Sequence, residues 1–214
     1  MSDPIVYGPA YSTYARSARL ALEEKGVAYR LQEVDALKGG TKAPEHLARQ
    51  PFAKVPAFEH DGFALYETAA IERYVDESFP GPKLQPADPR QRARMTQFIS
   101  IVDSYGYGAV IGKCVWQRIV MPMLGEKTDE RVIADAMPQI ETFVGAAEAL
   151  ADERGPYLCG ADLSLADLHV APVVAYFVAT PEGKELLAKI PKLSRWWQTM
   201  SARPSMAKTA PQPG

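Results

Sequence analysis

Cysteine and histidine are scarce in this chain of 214 residues, which has two cysteines and three histidines. Cys114 and Cys159 are far apart and form no CxxC motif, and the scattered histidines do not complete a set of metal ligands. We therefore predict no metal site and two free thiols, which is the pattern expected in the reducing cytoplasm.

The chain also lacks a strong charge of either sign and a long apolar run. A net charge of -2 provides no basic surface for nucleic acid or an anionic membrane. The longest apolar run, 170–179, is ten residues long and contains a proline, whereas a membrane-spanning helix needs about 20 residues. No signal-peptide pattern opens the sequence. We expect a globular protein whose partners are neither nucleic acid nor membrane.

Residue patterns divide the chain into two parts. The first 80 residues predict the order strand, helix, strand, helix, strand, strand, helix, with the first strand at Ile5–Tyr7. Residues 79–89 contain four prolines and one glycine, which indicates a linker. We therefore predict an α/β domain over 1–80, a linker over 81–90 and an all-helical domain over 91–214.

The second part has no convincing strand. Helical patterns cover 91–120 and 128–151, the latter with a kink at Pro138, and two more helices follow near the C-terminus. Ser164 and Asp167 have the spacing of a capping box, which favours a folding role over a catalytic one. Residues 207–214 are predicted to be a loose tail.

A hairpin is predicted where two apolar runs flank Asp61-Gly62. Its first run begins with Pro56, which cannot donate a hydrogen bond to a neighbouring strand. Either Pro56 starts a strand where no donor is needed, or the Val55–Pro56 bond is cis. A cis bond would turn the Val55 backbone out of the sheet, where a small extended peptide could pair with it.

The helix after this hairpin begins at Glu67-Thr68. Free N–H groups and the helix dipole favour a carboxylate there, although a plain helix start explains the same residues. A ligand with an α-carboxylate and an α-amine would use Thr68 for the first and Glu67 for the second. Lys42 and Lys54 could bind a second carboxylate, but a lone lysine is usually a solvated charge.

The loop after the first strand carries Ser12 and Thr13 at the start of a helix. Because this loop has no CxxC, dithiol redox chemistry is excluded. A hydroxyl at a helix N-terminus can donate to an incoming thiolate and lower its pKa. Simple capping of the helix by Ser12 or Thr13 is the alternative.

Together these segments resemble a glutathione transferase, most closely the phi class and a bacterial-type member, across nearly the whole chain. The matching motifs in the first part are Tyr7-Gly8 followed by Ser12, Lys42-Ala43-Pro44-Glu45-His46-Leu47, Pro51-Phe52 with Val55-Pro56, and Leu65-Tyr66-Glu67-Thr68. In the second part they are Pro122-Met123-Leu124-Gly125, Ser164-Leu165-Ala166-Asp167-Leu168, Trp196-Trp197 and Ala202-Arg203-Pro204-Ser205.

The resemblance implies a thioredoxin-like β-α-β-α-β-β-α domain, a C-terminal all-helical bundle and a homodimer. Ser12 would stabilise the glutathione thiolate, with Thr13, Tyr14 and Tyr7 as open alternatives. The implied glutathione contacts are Thr41, Lys42, Lys54, Val55, Pro56, Glu67 and Thr68. A small hydrophobic electrophile would bind against Tyr11, Thr13, Trp116 and Val120.

Three of these positions depart from the phi pattern. Phi proteins usually carry histidine where this chain has Thr41, glutamine where it has Lys54 and serine where it has Thr68. The last exchange keeps a hydroxyl, whereas Thr41 loses a ring donor and Lys54 adds a positive charge near the peptide.

The expected activity is glutathione transfer, with glutathione as the cosubstrate and no metal. A glutathione-dependent peroxidase, dehalogenase or isomerase would use the same thiolate with a different pocket. A non-catalytic interaction protein on the same scaffold is a further alternative.

Overall fold

Residues 2–211 are described by a computed structural model and fall into two units. Residues 2–85 and 202–211 form the first unit, and residues 86–201 form the second. The last residues therefore group with the first unit, although they follow the second in sequence. The domain boundaries 1–80, 81–90 and 91–214 stay a prediction for the folding domains.

A four-stranded mixed sheet organises the first unit. The strands are β1 (Ile5–Tyr7), β2 (Arg30–Gln32), β3 (Ala57–His60) and β4 (Phe63–Tyr66), in the spatial order β2-β1-β3-β4. β1 is parallel to β2 and antiparallel to β3, and β3 pairs antiparallel with β4. Val6 pairs with Leu31 and Phe58, and both Val6 and Phe58 are buried. The thioredoxin-like order that the resemblance implied is confirmed.

Helices make up most of the chain outside the sheet. In chain order they are α1 (Thr13–Lys25), α2 (Pro44–Leu47), α3 (Thr68–Ser78), α4 (Pro89–Ile101), α5 (Tyr107–Ala109), α6 (Met121–Met123), α7 (Glu130–Leu150), α8 (Leu165–Phe177), α9 (Pro181–Ala188), α10 (Pro191–Ser201) and α11 (Pro204–Lys208). A short 3₁₀ turn, Gly40–Lys42, precedes α2. None of the helices within residues 2–211 is both long and apolar enough to cross a bilayer.

The helical path from α4 to α6 is not uniform. Its hydrogen bonding widens to a π-helical pattern over Val102–Gly106 and again over Val110–Val120. The sequence predicted one helical stretch over 91–120 and did not predict this change, because π-helical segments are rare and have no residue signature of their own.

The prediction of a loose tail over 207–214 is wrong for its first residues. α11 extends through Lys208, and Thr209 is fully buried. Arg16 donates a hydrogen bond to the Met206 carbonyl at 2.8 Å, and Arg19 donates to the Thr209 carbonyl at 3.2 Å. Two arginines of α1 thus donate hydrogen bonds to carbonyl groups at the C-terminal end of α11. Residues 212–214 of the predicted tail lie outside the described part of the chain.

The capping box of α8 is confirmed and has further partners. Asp167 Oδ2 accepts hydrogen bonds from the backbone N–H and the hydroxyl of Ser164, both at 2.8 Å. Its Oδ1 accepts from the Leu158 N–H and from the Trp196 indole, also at 2.8 Å. One buried carboxylate therefore links the start of α8 to α10, which supports the folding role.

A buried ion pair joins the ends of α1 and α3. Lys25 Nζ donates to Asp76 Oδ1 at 3.1 Å and to the carbonyls of Asp76 and Pro82 at 3.0 and 2.9 Å. The side chains are 0% and 2% exposed, so water cannot replace either partner. Asp76 also accepts from the Leu84 N–H at 2.8 Å and from Gln85 at 3.0 Å.

We predict that Asp76→Ala lowers the free energy of unfolding by about 3–5 kcal/mol, because it leaves the Lys25 ammonium buried without its counter-charge. Urea denaturation followed by circular dichroism measures the change. Glu77→Ala is the matched control, since Glu77 is exposed and its pair with Arg73 contributes at most about 1 kcal/mol. Equal losses in the two variants would contradict the prediction.

The same pair has a defined pH dependence. Burial raises the pKa of Asp76, but hydrogen bonds from Leu84, Gln85 and Lys25 outweigh burial, so this pKa lies below its ordinary value. The stabilisation that the ionised Asp76 gives the folded state is therefore complete above the pKa of an unfolded aspartate, about 4. It is lost as the pH falls through the lower pKa of Asp76 in the folded state. The unfolding free energy of Asp76→Asn should fall less steeply with acidification than that of the wild type.

Candidate active site

Three segments of the first unit meet beyond the end of β1. A Cβ at Gly8 would lie 3.1 Å from the Ala15 Cβ and 3.3 Å from the Val55 Cβ. The first turn of α1 and the residue before Pro56 therefore both lie against Gly8. Ala57 pairs with Tyr66, which brings Glu67 to the same end of the sheet as Val55.

Ser12 is the N-cap of α1. Its Oγ accepts a hydrogen bond from the Ala15 N–H at 3.2 Å, and the residue is half-buried. Within residues 2–211 the hydroxyl proton of Ser12 has no acceptor. Capping and donation are thus compatible, because capping uses an oxygen lone pair and leaves the O–H free.

The three alternative donors to a thiolate, Tyr7, Thr13 and Tyr14, differ from Ser12 in hydrogen bonding or burial. The Tyr7 hydroxyl donates to Glu59 Oε2 at 3.1 Å, and the Arg49 guanidinium lies 4.5 Å from its ring centroid. Burial and the hydrogen bond to Glu59 both raise the pKa of Tyr7. Thr13 is only 3% exposed, and Tyr14 is half-buried. The free proton of Ser12 distinguishes it from Tyr7, whose proton is already shared with a carboxylate.

The Val55–Pro56 peptide bond is cis, as one of the two sequence explanations predicted. The first strand of the hairpin begins at Ala57, one residue after the proline. Among the described residues, neither the N–H nor the carbonyl of Val55 has a hydrogen-bond partner. These two groups are therefore available to an extended ligand.

Two buried side chains support the loop before Val55, and sequence reasoning assigned a role to neither. Gln50 Oε1 accepts from the backbone N–H of Phe52 at 2.7 Å and of Lys54 at 3.4 Å. His46 Nε2 lies 2.7 Å from the Lys54 carbonyl oxygen. His46 belonged to a matching motif, but only the folded structure shows what its ring contacts.

Glu67 has an unusual backbone conformation. Its φ of 69° and ψ of 114° lie outside the regions that a non-glycine residue normally adopts. It precedes α3 without a side-chain cap, and its own side chain is exposed. Such strain is of order 1–3 kcal/mol and is found most often at functional sites. Thr68, the first residue of α3, is buried, and its hydroxyl has no partner within residues 2–211.

The remaining predicted glutathione contacts lie before and after α2. Thr41 is buried in the 3₁₀ turn that precedes α2, whereas Lys42 and Lys54 are both exposed. The contact of His46 with the Lys54 carbonyl brings α2 next to the loop that leads to Val55.

The predicted electrophile residues belong to different units. Tyr11 and Thr13 are in the first unit, and Trp116 and Val120 are in the second, on the π-helical segment Val110–Val120. The Tyr11 hydroxyl accepts a hydrogen bond from the Leu37 N–H at 3.3 Å. Tyr11 is 38% exposed and Trp116 is 36% exposed, so both rings present apolar surface.

Both cysteines are free and buried in the second unit. Burial raises the pKa of Cys114 to about 11 and that of Cys159 to about 12. Across residues 2–211 no group of three or more histidine, cysteine or acidic side chains is placed to hold a metal ion. Neither thiol is a nucleophile near pH 7, because the thiolate is the reactive form.

We therefore expect Cys114 and Cys159 to react with 5,5′-dithiobis(2-nitrobenzoic acid) only after unfolding. At pH 7.5 the native protein should release almost no thionitrobenzoate, and the same sample in guanidinium chloride should release two equivalents, one for each free cysteine. Rapid release of one equivalent of thionitrobenzoate from the native protein would contradict the assignment of both thiols as structural.

Two family models match the chain. The model described as Glutathione S-transferase, N-terminal domain, matches residues 3–77, and the model described as Glutathione S-transferase, C-terminal domain, matches residues 109–204. A probable glutathione S-transferase of Oryza sativa subsp. japonica is 33% identical over 216 residues, which cover 98% of this chain and 96% of the relative.

Solved structures agree with these matches. A glutathione transferase from Populus trichocarpa is 30% identical, with 96% of this chain and 97% of that chain covered and a TM-score of 0.85. Glutathione S-transferase I from maize, solved with an atrazine glutathione conjugate, is 29% identical, with coverages of 97% and 96% and a TM-score of 0.83. The chain belongs to the glutathione S-transferase family, and its curated relatives include plant members of the phi class.

Proposed function

We propose that this protein is a glutathione transferase that stabilises the glutathione thiolate with the Ser12 hydroxyl. The observation that carries the proposal is the free hydroxyl proton of Ser12 at the N-terminus of α1, together with the unpartnered backbone of Val55, since the first turn of α1 and Val55 both lie against Gly8. The maize relative was solved with a glutathione conjugate, which supports glutathione as the cosubstrate. No metal takes part in the proposed reaction.

Backbone and side-chain groups of the first unit would bind the tripeptide. Val55, before cis-Pro56, would pair with the cysteinyl backbone through its free N–H and carbonyl. Glu67 and Thr68 would bind the γ-glutamyl amine and carboxylate, since α3 begins with uncapped N–H groups. The anionic glycyl end would lie towards Thr41, Lys42 and Lys54, two of which are exposed lysines.

The chemistry follows from holding the thiol ionised. The Ser12 O–H donates to the glutathione sulfur, and the positive end of the α1 dipole favours the anion, so the thiol loses its proton to solvent near neutral pH. With an aryl halide, the sulfur forms the C–S bond and the halide leaves with the C–X bonding pair. Because Ser12 is fixed by its cap hydrogen bond, the donor needs no reorganisation during the reaction.

The electrophile is proposed to be small and hydrophobic. Tyr11, Thr13, Trp116 and Val120 are the residues assigned to it, and the exposed rings of Tyr11 and Trp116 support this assignment. Two buried free cysteines with raised pKa values are compatible with the reducing cytoplasm, which we propose as the compartment.

We predict that Ser12→Ala lowers kcat/KM for 1-chloro-2,4-dinitrobenzene about 100-fold, because one preorganised donor to the anion is lost. The pKa in the pH–rate profile should rise, while the glutathione dissociation constant from calorimetry stays within about threefold of the wild type. An unchanged pH–rate profile in this variant would remove Ser12 from the mechanism.

Two further substitutions separate catalysis from helix capping. Ser12→Gly removes the hydroxyl but costs only a few tenths of a kcal/mol as an N-cap, so it should lose as much activity as Ser12→Ala. Ser12→Thr keeps both donor and acceptor and should retain most of the activity. Wild-type activity in Ser12→Gly would show that the alanine variant fails for a structural reason.

We further propose that the protein is a homodimer that uses Phe52. This ring is 64% exposed and lies edge-on to Tyr66, with centroids 5.9 Å apart, so the ring of Phe52 presents apolar surface at the exterior of the first unit. Aromatic side chains are enriched at the centres of protein interfaces.

Phe52→Ser should shift the protein from dimer to monomer in sedimentation velocity at micromolar concentration. Removing a central aromatic anchor costs about 2 kcal/mol or more of association free energy, which is at least a roughly 30-fold weaker dimer. Leu37→Ser is the control, because Leu37 is also exposed, at 45%, in another loop of the same unit. A monomeric wild type, or an unchanged Phe52→Ser dimer, would contradict this proposal.

A further inference from the structure

The loop 51–55 has few apolar contacts of its own. Pro51, Phe52 and Lys54 are exposed, and Ala53 has a φ of 54°, which a non-glycine residue adopts at a cost. Local segments with little buried apolar surface open easily. The conformation of this loop therefore depends on the polar groups that contact its backbone.

The side chains of His46 and Gln50, which are 3% and 2% exposed, are two such groups, and the Gln50 carbonyl also accepts a hydrogen bond from the Ala53 N–H at 3.2 Å. Gln50 accepts hydrogen bonds from two backbone N–H groups of the loop, and His46 is hydrogen-bonded to the Lys54 carbonyl. A carbonyl oxygen only accepts, so His46 Nε2 carries the hydrogen in this contact. The Lys54 carbonyl belongs to the peptide unit that also contains the Val55 N–H, so the His46 hydrogen bond sets the orientation of that N–H.

The position of α2 depends on the same ring. α2 has four residues, too few for stability on its own, and His46 is its one residue that is buried. The His46 Nδ1 is buried with no hydrogen-bond partner within residues 2–211, so the ring has a single polar contact. That contact joins the segment carrying Lys42 to the loop carrying Lys54 and Val55.

We propose that His46 is a positioning residue for glutathione: its Nε2–H fixes the Lys54–Val55 peptide so that the Val55 backbone can pair with the tripeptide. This inference rests on the proposed function, because it assumes that Val55 binds glutathione. It adds a residue that touches neither the thiol nor the electrophile, and its effect is therefore on binding and not on the chemical step.

His46→Phe keeps the size of the ring and removes the donor, whereas His46→Gln keeps an amide N–H that can reach a carbonyl. With 1-chloro-2,4-dinitrobenzene, His46→Phe should raise the KM for glutathione about tenfold and leave kcat and the pH–rate profile nearly unchanged. His46→Gln should recover most of the affinity. Calorimetry with glutathione should show the same order of dissociation constants.

His60→Phe is the matched control. His60 is also buried, at 6% exposure, with Nδ1 2.8 Å from the Tyr74 hydroxyl and Nε2 without a hydrogen-bond partner among the described residues. It lies at the opposite end of β3 from Val55. If general destabilisation caused the effect, His60→Phe would raise KM as much as His46→Phe, and that result would overturn the proposal.

Hydrogen exchange without ligand tests the loop directly. Amides of residues 52–55 should exchange faster in His46→Phe than in the wild type or His60→Phe. A wild type that neither binds nor turns over glutathione overturns the proposed function, and the role of His46 with it. A wild type that binds glutathione, with equal affinity in His46→Phe, overturns the inference about His46 alone.

Discussion

The candidate site depends on the close approach of three chain segments around Gly8. A Cβ at this position would lie 3.1 Å from the Ala15 Cβ and 3.3 Å from the Val55 Cβ, closer than side chains normally pack. The backbone N–H of Gly8 also donates to the Gln32 carbonyl at 3.0 Å, which extends the pairing of β1 with β2. The absence of a side chain therefore lets the N-terminus of α1 and the loop before β3 lie against the same strand end.

This approach gathers backbone and side-chain groups that the protein itself leaves without partners. The Ser12 proton, both backbone groups of Val55 and the Thr68 hydroxyl have no hydrogen-bond partner within the described residues. Polar groups of a folded chain are normally paired with protein, water or a ligand, so a concentration of groups without a protein partner at one end of a sheet calls for an explanation. A peptide ligand with a thiol and two charged ends would pair with these groups. The strained Glu67 lies at the same end of the sheet.

Sequence patterns predicted features that local chemistry determines, and missed those that depend on contacts distant in sequence. Asp61-Gly62 forms the predicted turn with positive φ at both residues, because few other residue pairs tolerate that conformation. The cis bond before Pro56 was one of two explanations, and only the folded structure distinguishes them. The positive φ of Glu67 has no signature in residue type. The contact of His46 with Lys54 required the packing of α2, which no periodicity encodes.

A crystal structure of the protein with bound glutathione tests the central claim most directly, since it locates all three ends of the tripeptide at once. We expect the sulfur within hydrogen-bond distance of Ser12 Oγ and the cysteinyl backbone paired with Val55. The γ-glutamyl group should lie at the N-terminus of α3. A sulfur placed against Tyr7, or a tripeptide that leaves the Val55 backbone unpaired, would contradict the proposed mode of glutathione binding.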